Sequence, residues 1–171
     1  MSIDVKSISS QEANSFIVQH HNTHEPRRAN LWLGAFLDDK LVGSVGFTTG
    51  SFPNFGKLLS KGVFNNREVL LMVRFCVADC MPRNSESIFL SRAVKYIKQN
   101  KPNIKMLVTH VDADAGEVGY AWQGSNWYYL GLMTTRTGKK MHRYILPIGT
   151  HKERKRLLAT LSNKLASYPK I

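Results

Sequence analysis

The chain has 171 residues, of which 43% are hydrophobic and 10% are aromatic. This composition excludes a disordered chain, and the length suits one compact domain with its own core. The formal net charge of +12 favours a polyanionic partner over an acidic or neutral one.

Three features of the sequence predict a cytoplasmic protein with no membrane partner. No apolar run approaches the roughly 18 residues of a membrane span. The first ten residues, MSIDVKSISS, have neither the basic region nor the apolar region of a signal peptide. The two cysteines, Cys76 and Cys80, are expected to be free thiols in a reducing compartment, and two sulfurs alone make no zinc site.

The positive charge is concentrated at the C-terminal end. Residues 136–171 contain ten lysines and arginines and one acid, Glu153, for a net charge of +9. Such a density attracts phosphates and releases counterions when it binds them. A solvated tail, a ribosome or an anionic membrane would fit the charge alone. We expect DNA contacts from Lys139, Lys140, Arg143, Lys152, Arg154, Lys155 and Arg156.

The first half of the chain predicts strands, one helix and one long loop. A strand over residues 3–8 is followed by a helix whose start, Ser9 to Glu12, has the spacing of a capping box. Two apolar runs, 31–37 and 41–47, flank Asp38-Asp39-Lys40 as in a hairpin. Residues 48–66 are rich in Gly, Pro, Ser and Asn and predict a long loop. Residues 68–77 are almost continuously apolar, as in a buried central strand.

The second half alternates helices and strands. Asn84 or Ser85 is a natural N-cap for a helix over 88–99, and a strand follows at 104–110. Residues 113–124 predict a helix, with Asp114 as the favoured N-cap. Two strands, 127–133 and 141–146, close the sheet, and a basic amphipathic helix begins at residue 150.

This order of elements predicts an α/β (or α+β) fold with a mixed central sheet and flanking helices. It matches the order of the GNAT acetyltransferase superfamily. We expect residues 1–149 to form a GNAT-like catalytic domain and residues 150–171 to form a basic helical extension.

The turn before the 88–99 helix is the most unusual polar segment. A helix N-terminus presents unpaired N–H groups and partial positive charge, which suits an anionic ligand. Arg74 lies inside an apolar strand, where a guanidinium needs a carboxylate or a ligand. Simple capping by the turn residues is the alternative. The predicted anion-binding residues are Arg74, Arg83, Asn84 and Ser85.

Two further groups could carry chemistry. His21 and His24 are three residues apart and share a face of a helix or turn, as an acid/base pair, metal ligands or helix caps. Asp112 follows a predicted strand, at the edge where ligands of α/β sheets bind. Together the three could hold iron, although the spacing does not require it. Nearby aromatics could stack a base, with core packing the default for most of them: Trp122, Trp127, Tyr128 and Tyr129.

In these segments the sequence resembles the Mom-like family of phage DNA-modification proteins, an offshoot of the GNAT superfamily. The similar stretches are His21-x-x-His24, Arg74…Asp79-x-x-Pro82-x-Asn84-x-x-Ser87, and Asp112…Gly116…Gly119 continuing to Trp127-x-Tyr129-x-Gly131. The resemblance implies a GNAT-like fold and the addition of an acetamido-type group to the exocyclic amine of adenine, which protects phage DNA from host restriction. The functional residues that it implies are His21, Arg74, Ser87 and Asp112.

The sequence departs from the family pattern at three places. Trp122 stands where a tyrosine is usual, and an indole cannot act as an acid. Tyr120 would then supply the phenol that acts as an acid, and Trp122 would stack on the base. Glu117 stands where a histidine is usual. The Gln/Arg-x-x-Gly-x-Gly/Ala pyrophosphate loop of acetyltransferases is absent, and residues 82–87 occupy its place, so acetyl-CoA is a possible donor that cannot be assumed.

Two other functions remain open at the level of the sequence. One is an acyl-CoA N-acyltransferase that acts on a protein, a small amine or RNA. The other is a non-enzymatic anti-restriction protein that binds DNA through its basic end.

Overall fold

The computed structural model describes residues 2–50 and 52–171, and in this part of the chain seven strands form a sheet. The strand order is β1-β2-β3-β4-β5-β7-β6, and helices flank it, so the expected α/β class is confirmed. The strands are β1 (Asp4–Ser7), β2 (Leu31–Leu37), β3 (Lys40–Thr48), β4 (Val69–Val77), β5 (Met106–Asp112), β6 (Tyr128–Thr134) and β7 (Lys140–Pro147). The helices are α1 (Ser10–His20), α2 (Phe55–Leu59), α3 (Ser85–Asn100), α4 (Tyr120–Gly124) and α5 (His151–Thr160), with a 3-10 turn at Asn66–Glu68.

The chain forms two compact units. The first contains Met1–Thr48 and Met72–Lys101, and the second contains Thr49–Leu71 and Pro102–Ile171. Strand β4 contributes residues to both. None of the helices within the described ranges is long and apolar enough to cross a membrane.

The first unit is built on the antiparallel strands β1, β2 and β3. The predicted hairpin between β2 and β3 is confirmed, and its turn residues Asp38 and Asp39 both have positive φ, at 50° and 62°. Such backbone angles match the twist of the flanking strands. Helix α1 starts at Ser9, whose hydroxyl accepts a hydrogen bond from the Glu12 N–H at 3.1 Å. Its apolar face packs on a core that includes Trp32 and Cys76.

The second unit contains the antiparallel strands β5, β7 and β6. Helix α5 begins with a complete capping box between Thr150 and Glu153. Leu157 and Leu161 are fully buried, and the segment after α5 returns to β6 through a bridge between Tyr129 and Ala166. The basic segment is therefore anchored in the core of its unit. That it forms an extension separate from a domain over 1–149 stays a prediction.

Two local predictions are wrong. The expected helix over 113–124 begins only at Tyr120, because Gly116 and Gly119 hold the preceding segment in a turn with φ of 79° and 84°. Asp114 is therefore no N-cap, and its Oδ2 instead accepts a hydrogen bond from the backbone N–H of Lys140 at 2.9 Å. The expected loop over 48–66 contains α2, which buries Phe55; Ser51 in that loop lies outside the described residues.

Substitution of Gly119 by alanine should destabilise the second unit. The added Cβ would lie 2.7 Å from Cε2 of the buried Tyr144, at a backbone φ of 84°. The close contact and the left-handed backbone together should lower the free energy of unfolding by about 3 kcal/mol. Urea denaturation measures this loss. Gly116→Ala is the matched control, because its φ is 79° and a Cβ there meets nothing within 4 Å; its loss should be only about 1 kcal/mol. Equal losses would show that the contact with Tyr144 does not matter.

Candidate functional site

Arg74 of β4 is a partly buried cation whose guanidinium has an incomplete set of partners within the described residues. Its side chain is 14% exposed, and Nη2 lies 3.9 Å from Oε2 of Glu25, an exposed side chain. Nη1 donates to the carbonyl of Val73 at 3.2 Å, while Nε is buried and has no hydrogen-bond partner in the described part of the chain. Burial and then the charge of Arg27 lower the pKa of Arg74, and Glu25 opposes them. A guanidinium with so distant a counterion is suited to an anionic ligand.

His21 lies at the end of α1, where its ring is held by the loop that follows. Nδ1 accepts a hydrogen bond from the Thr23 N–H at 3.1 Å, so the neutral ring carries its proton on Nε2. Burial first, and then the charges of Arg74 and His24, lower the pKa of His21 below 6.5. The ring is thus mostly neutral at pH 7. Nδ1 of His24 is bound separately, at 2.9 Å from the carbonyl oxygen of Val18.

The start of α3 differs from the expected capping arrangement. Asn84 occupies the N-cap position with φ of 72°, and its side chain makes no capping hydrogen bond. The hydroxyl of Ser85 donates to the carbonyl of Pro82 at 2.6 Å, and that of Ser87 donates to the carbonyl of Asn84 at 3.0 Å. Capping by the Asn84 side chain is therefore wrong. Ser85 is buried, while Arg83 is exposed.

Asp112, the last residue of β5, is an ionised carboxylate. Oδ2 lies 2.7 Å from Nζ of Lys139, and Oδ1 accepts a hydrogen bond from the Ala115 N–H at 3.1 Å. Burial acts to raise the pKa of Asp112, but the hydrogen bonds from Lys139 and Ala115 outweigh it, so the pKa lies below 3.8. Asp112 can therefore accept a proton or a hydrogen bond at neutral pH, and it cannot donate one.

A contact between His110 and Arg143 was missed in the sequence. Nε of Arg143 donates to Nε2 of His110 at 2.9 Å, and Nη2 lies 3.0 Å from Sδ of Met133. Burial, and then the charge of Arg143, lower the pKa of His110 to about 4. Strand alternation predicts that His110 and Asp112 share a face of β5, but the contact with Arg143 depends on the register of β5 against β7. Arg143 is thus a half-buried residue of the sheet, unlike the exposed cations with which it was grouped.

The remaining predicted residues fall into exposed and buried sets. The Tyr120 side chain is 61% exposed and Trp127 is fully buried, while Trp122 is partly buried in α4. Tyr129 is a core residue whose hydroxyl lies 2.7 Å from Nδ1 of His142. The other predicted DNA-binding cations are exposed; they are Lys139, Lys140, Lys152, Arg154, Lys155 and Arg156.

Metal-ligating side chains do not cluster in residues 2–50 and 52–171. No group of three or more His, Cys, Asp and Glu side chains is placed there to hold a metal ion. The iron alternative, which needed His21, His24 and Asp112 as ligands, therefore has no support from the described residues.

The fold places this chain among proteins built like acetyltransferases. An aminoglycoside acetyltransferase, AAC(6')-Ib, solved with coenzyme A and kanamycin, superposes with a TM-score of 0.62 at 11% identity, covering 91% of this chain and 98% of that one. An N-acetyltransferase from Staphylococcus aureus Mu50 gives a TM-score of 0.59 at 12% identity, covering 86% and 98%. At these identities the likeness shows the fold alone.

The sequence comparison defines the family. Residues 2–167 match the model of the Mom protein family, and the chain belongs to that family. It is 30% identical over 128 residues to the methylcarbamoylase mom of Escherichia phage Mu, which covers 74% of this chain and 53% of the phage protein. The chain thus spans about half the length of the curated relative that it matches.

Proposed function

We propose that this protein is a transferase that adds a small acyl-derived group of the acetamido type to the exocyclic amine of adenine in DNA. Membership of the Mom family over residues 2–167 is the observation that carries the proposal. The similar phage protein is named a methylcarbamoylase, and the fold resembles those of enzymes that transfer acyl groups to amines. In this proposal the enzyme acts in the cytoplasm of a phage-infected bacterium and protects phage DNA from restriction.

Asp112 is proposed to receive the proton that the adenine amine loses. The amine nitrogen of adenine is a weak nucleophile. As it bonds to the transferred carbon, the bond from that carbon to the rest of the donor breaks, the leaving group departs with the electron pair, and the nitrogen becomes positively charged, so its N–H is strongly acidic. A carboxylate with a low pKa can accept such a proton or stabilise it by a hydrogen bond. The ion pair with Lys139 fixes the orientation of the carboxylate before the reaction.

The residues of the first unit are proposed to bind the donor. Arg74, with its unpaired Nε and distant counterion, would hold an anionic part of it, together with the turn that includes Arg83, Asn84 and Ser85. The hydroxyl of Ser87 keeps its lone pairs available, because it donates its hydrogen to Asn84. His21 would act as a second acid/base group. Acetyl-CoA is not part of the proposal, because the usual pyrophosphate loop is absent.

Exposed cations and aromatic side chains are proposed to bind the DNA. The cations would contact phosphates, which positions a duplex without reading its sequence. The adenine must leave the stack before an enzyme can reach its amine. Trp122 could then stack on the extruded base, and the exposed phenol of Tyr120 could supply a proton. The cations are Lys139, Lys140, Lys152, Arg154, Lys155 and Arg156.

Nucleoside analysis tests the proposed function. The protein is produced in bacteria, the cellular DNA is digested to nucleosides, and the products are compared by mass spectrometry with those of cells that carry an empty vector. We expect a new deoxyadenosine derivative that carries the transferred group. Unchanged nucleosides, in cells that contain the folded protein, would contradict the proposal.

A further inference from the structure

Within the described residues, Arg143 on one face of the β5–β7–β6 sheet forms no ion pair with an acid. His110 is paired directly with Arg143, and Asp112 is paired with Met141. Paired residues and residues two apart along a strand lie on the same face. His110, Asp112 and Arg143 therefore share a face within the second unit, which we call the Asp112 face.

The two side-chain partners of Arg143 are both neutral. His110 accepts a hydrogen bond at Nε2, so its single proton lies on Nδ1. The pKa of about 4 keeps this ring uncharged at neutral pH. The other partner is the thioether of Met133. These contacts fix the direction of the guanidinium but contribute no negative charge.

Three acids of the second unit have partners other than Arg143. Asp112 is paired with Lys139, and Glu153 with Lys105. Asp114 accepts from the backbone of Lys140. Among the described residues, none of these carboxylates forms an ion pair with Arg143.

A half-buried guanidinium without a counterion destabilises the folded protein, because its desolvation is not compensated, unless a ligand supplies a negative charge. The contacts described above involve Nε and Nη2 of Arg143, and the residue is partly exposed to solvent. A guanidinium fork of this kind matches the paired oxygens of an oxyanion. The turn between β6 and β7 adds the exposed cation of Arg136, which favours a negatively charged ligand.

We propose that Arg143 binds a phosphate group on the Asp112 face and that His110 positions its guanidinium. This inference rests on the proposed function, and it names the chemistry that the same site would recognise. The phosphate can belong to the nucleic-acid backbone or to a small phosphorylated molecule.

Salt-dependent binding tests the first source of the phosphate. The affinity of the full-length protein for a short fluorescent DNA duplex is measured over a range of salt concentrations. Loss of one phosphate contact in Arg143→Gln should reduce the slope of log K against log salt by about 0.9 and weaken binding about 10-fold. Lys98→Gln is the matched control, since it removes one exposed charge from α3, and its slope should equal that of the wild type.

Coenzyme A tests the second source, as a probe that carries phosphates. If its stabilisation of the wild type against heat is lost in Arg143→Gln while the DNA slope is unchanged, the phosphate belongs to a small molecule and not to the DNA backbone. Either change supports the inference. A folded Arg143→Gln protein with the DNA slope and the response to coenzyme A of the wild type overturns it.

Three further variants address a failure of Arg143→Gln to fold and the role of His110. If Arg143→Gln does not fold, Arg143→Lys keeps the charge but loses the fork, and it should bind one of the two probes at least 3-fold more weakly; equal affinity for both overturns the inference. His110→Gln, whose amide oxygen can still accept from Arg143, should bind like the wild type, whereas His110→Leu should bind more weakly. All of these experiments measure binding or thermal stability and do not require the enzyme to modify DNA. Their results therefore stay interpretable even if the proposed modification activity is not found.

Discussion

Asp112→Asn should lower the yield of modified deoxyadenosine at least 100-fold in bacteria that produce the protein. Asparagine keeps the shape of the side chain, and its Oδ1 can still accept from the Ala115 N–H. It cannot take up a proton, and it loses the charge that pairs with Lys139. Loss of a positioned general base reduces rates by about 10²- to 10⁴-fold. Mass spectrometry of digested cellular DNA measures the yield.

Asp114→Asn is the matched control for this experiment. The Asp114 carboxylate accepts a hydrogen bond from the Lys140 backbone, and an amide oxygen can replace it, so the yield should stay within about 3-fold of the wild type. Equal yields from Asp112→Asn and the wild type would remove Asp112 from the chemistry. A non-enzymatic DNA-binding protein would instead give no modified nucleoside from any variant, and would protect DNA equally well without Asp112.

Acidification from pH 7 to pH 4 should cost the protein about 3 kcal/mol of unfolding free energy through His110 alone. The pKa of His110 is about 4 in the folded protein and about 6.5 when the ring is exposed to water. Between these two values the unfolded chain binds more protons than the folded one. The stability that His110 contributes is therefore complete above pH 6.5 and is lost as the pH falls towards 4.

Urea denaturation at several pH values measures this dependence. Asp112 and Glu153 have lowered pKa values in the folded state, so their protonation also makes the protein less stable in acid. A reference variant is therefore needed to isolate the effect of His110. His110→Gln has no titrating group at this position and retains an acceptor for Nε of Arg143. Its stability should fall about 3 kcal/mol less than that of the wild type over the same range. Parallel pH profiles for the two proteins would show that His110 titrates normally in the folded state.

Much of the sheet could be predicted, because each strand has a run of apolar residues within its own segment of the sequence. The apolar runs of β2, β3 and β4 and the aspartates of the hairpin are sufficient to define those elements. The start of α1 is equally local: Ser9 is its N-cap and accepts from the Glu12 N–H as expected, while the Glu12 carboxylate accepts from the Ser9 hydroxyl at 3.4 Å. The resemblance to the Mom family is also confirmed. It depended on several motifs that occur in a fixed order along the chain.

The predictions of local structure failed where one backbone angle or one contact between distant residues determines the structure. The composition of residues 113–119 suits a helix, but two glycines with positive φ hold a turn there. Asn84 has the chemistry of a cap, yet its left-handed backbone leaves it without a capping hydrogen bond.

Parts of the candidate sites were also beyond the reach of the sequence. Arg74 was recognised as unusual, but its counterion Glu25 lies in a loop that no local pattern connects to β4. The contact of His110 with Arg143 depends on the register of β5 against β7, and this register joins residues 33 positions apart.

The anchoring of α5 affects how DNA would meet the protein. Leu157 and Leu161 are inserted into the core, and the hydroxyl of Tyr168 donates to the carbonyl of Trp127 at 2.5 Å. The helix that carries these cations is consequently packed against its unit, and it does not move as a flexible tail. If the protein binds DNA as proposed, these cations would meet the duplex in a fixed arrangement, and their spacing would limit the orientations in which they can contact its phosphates.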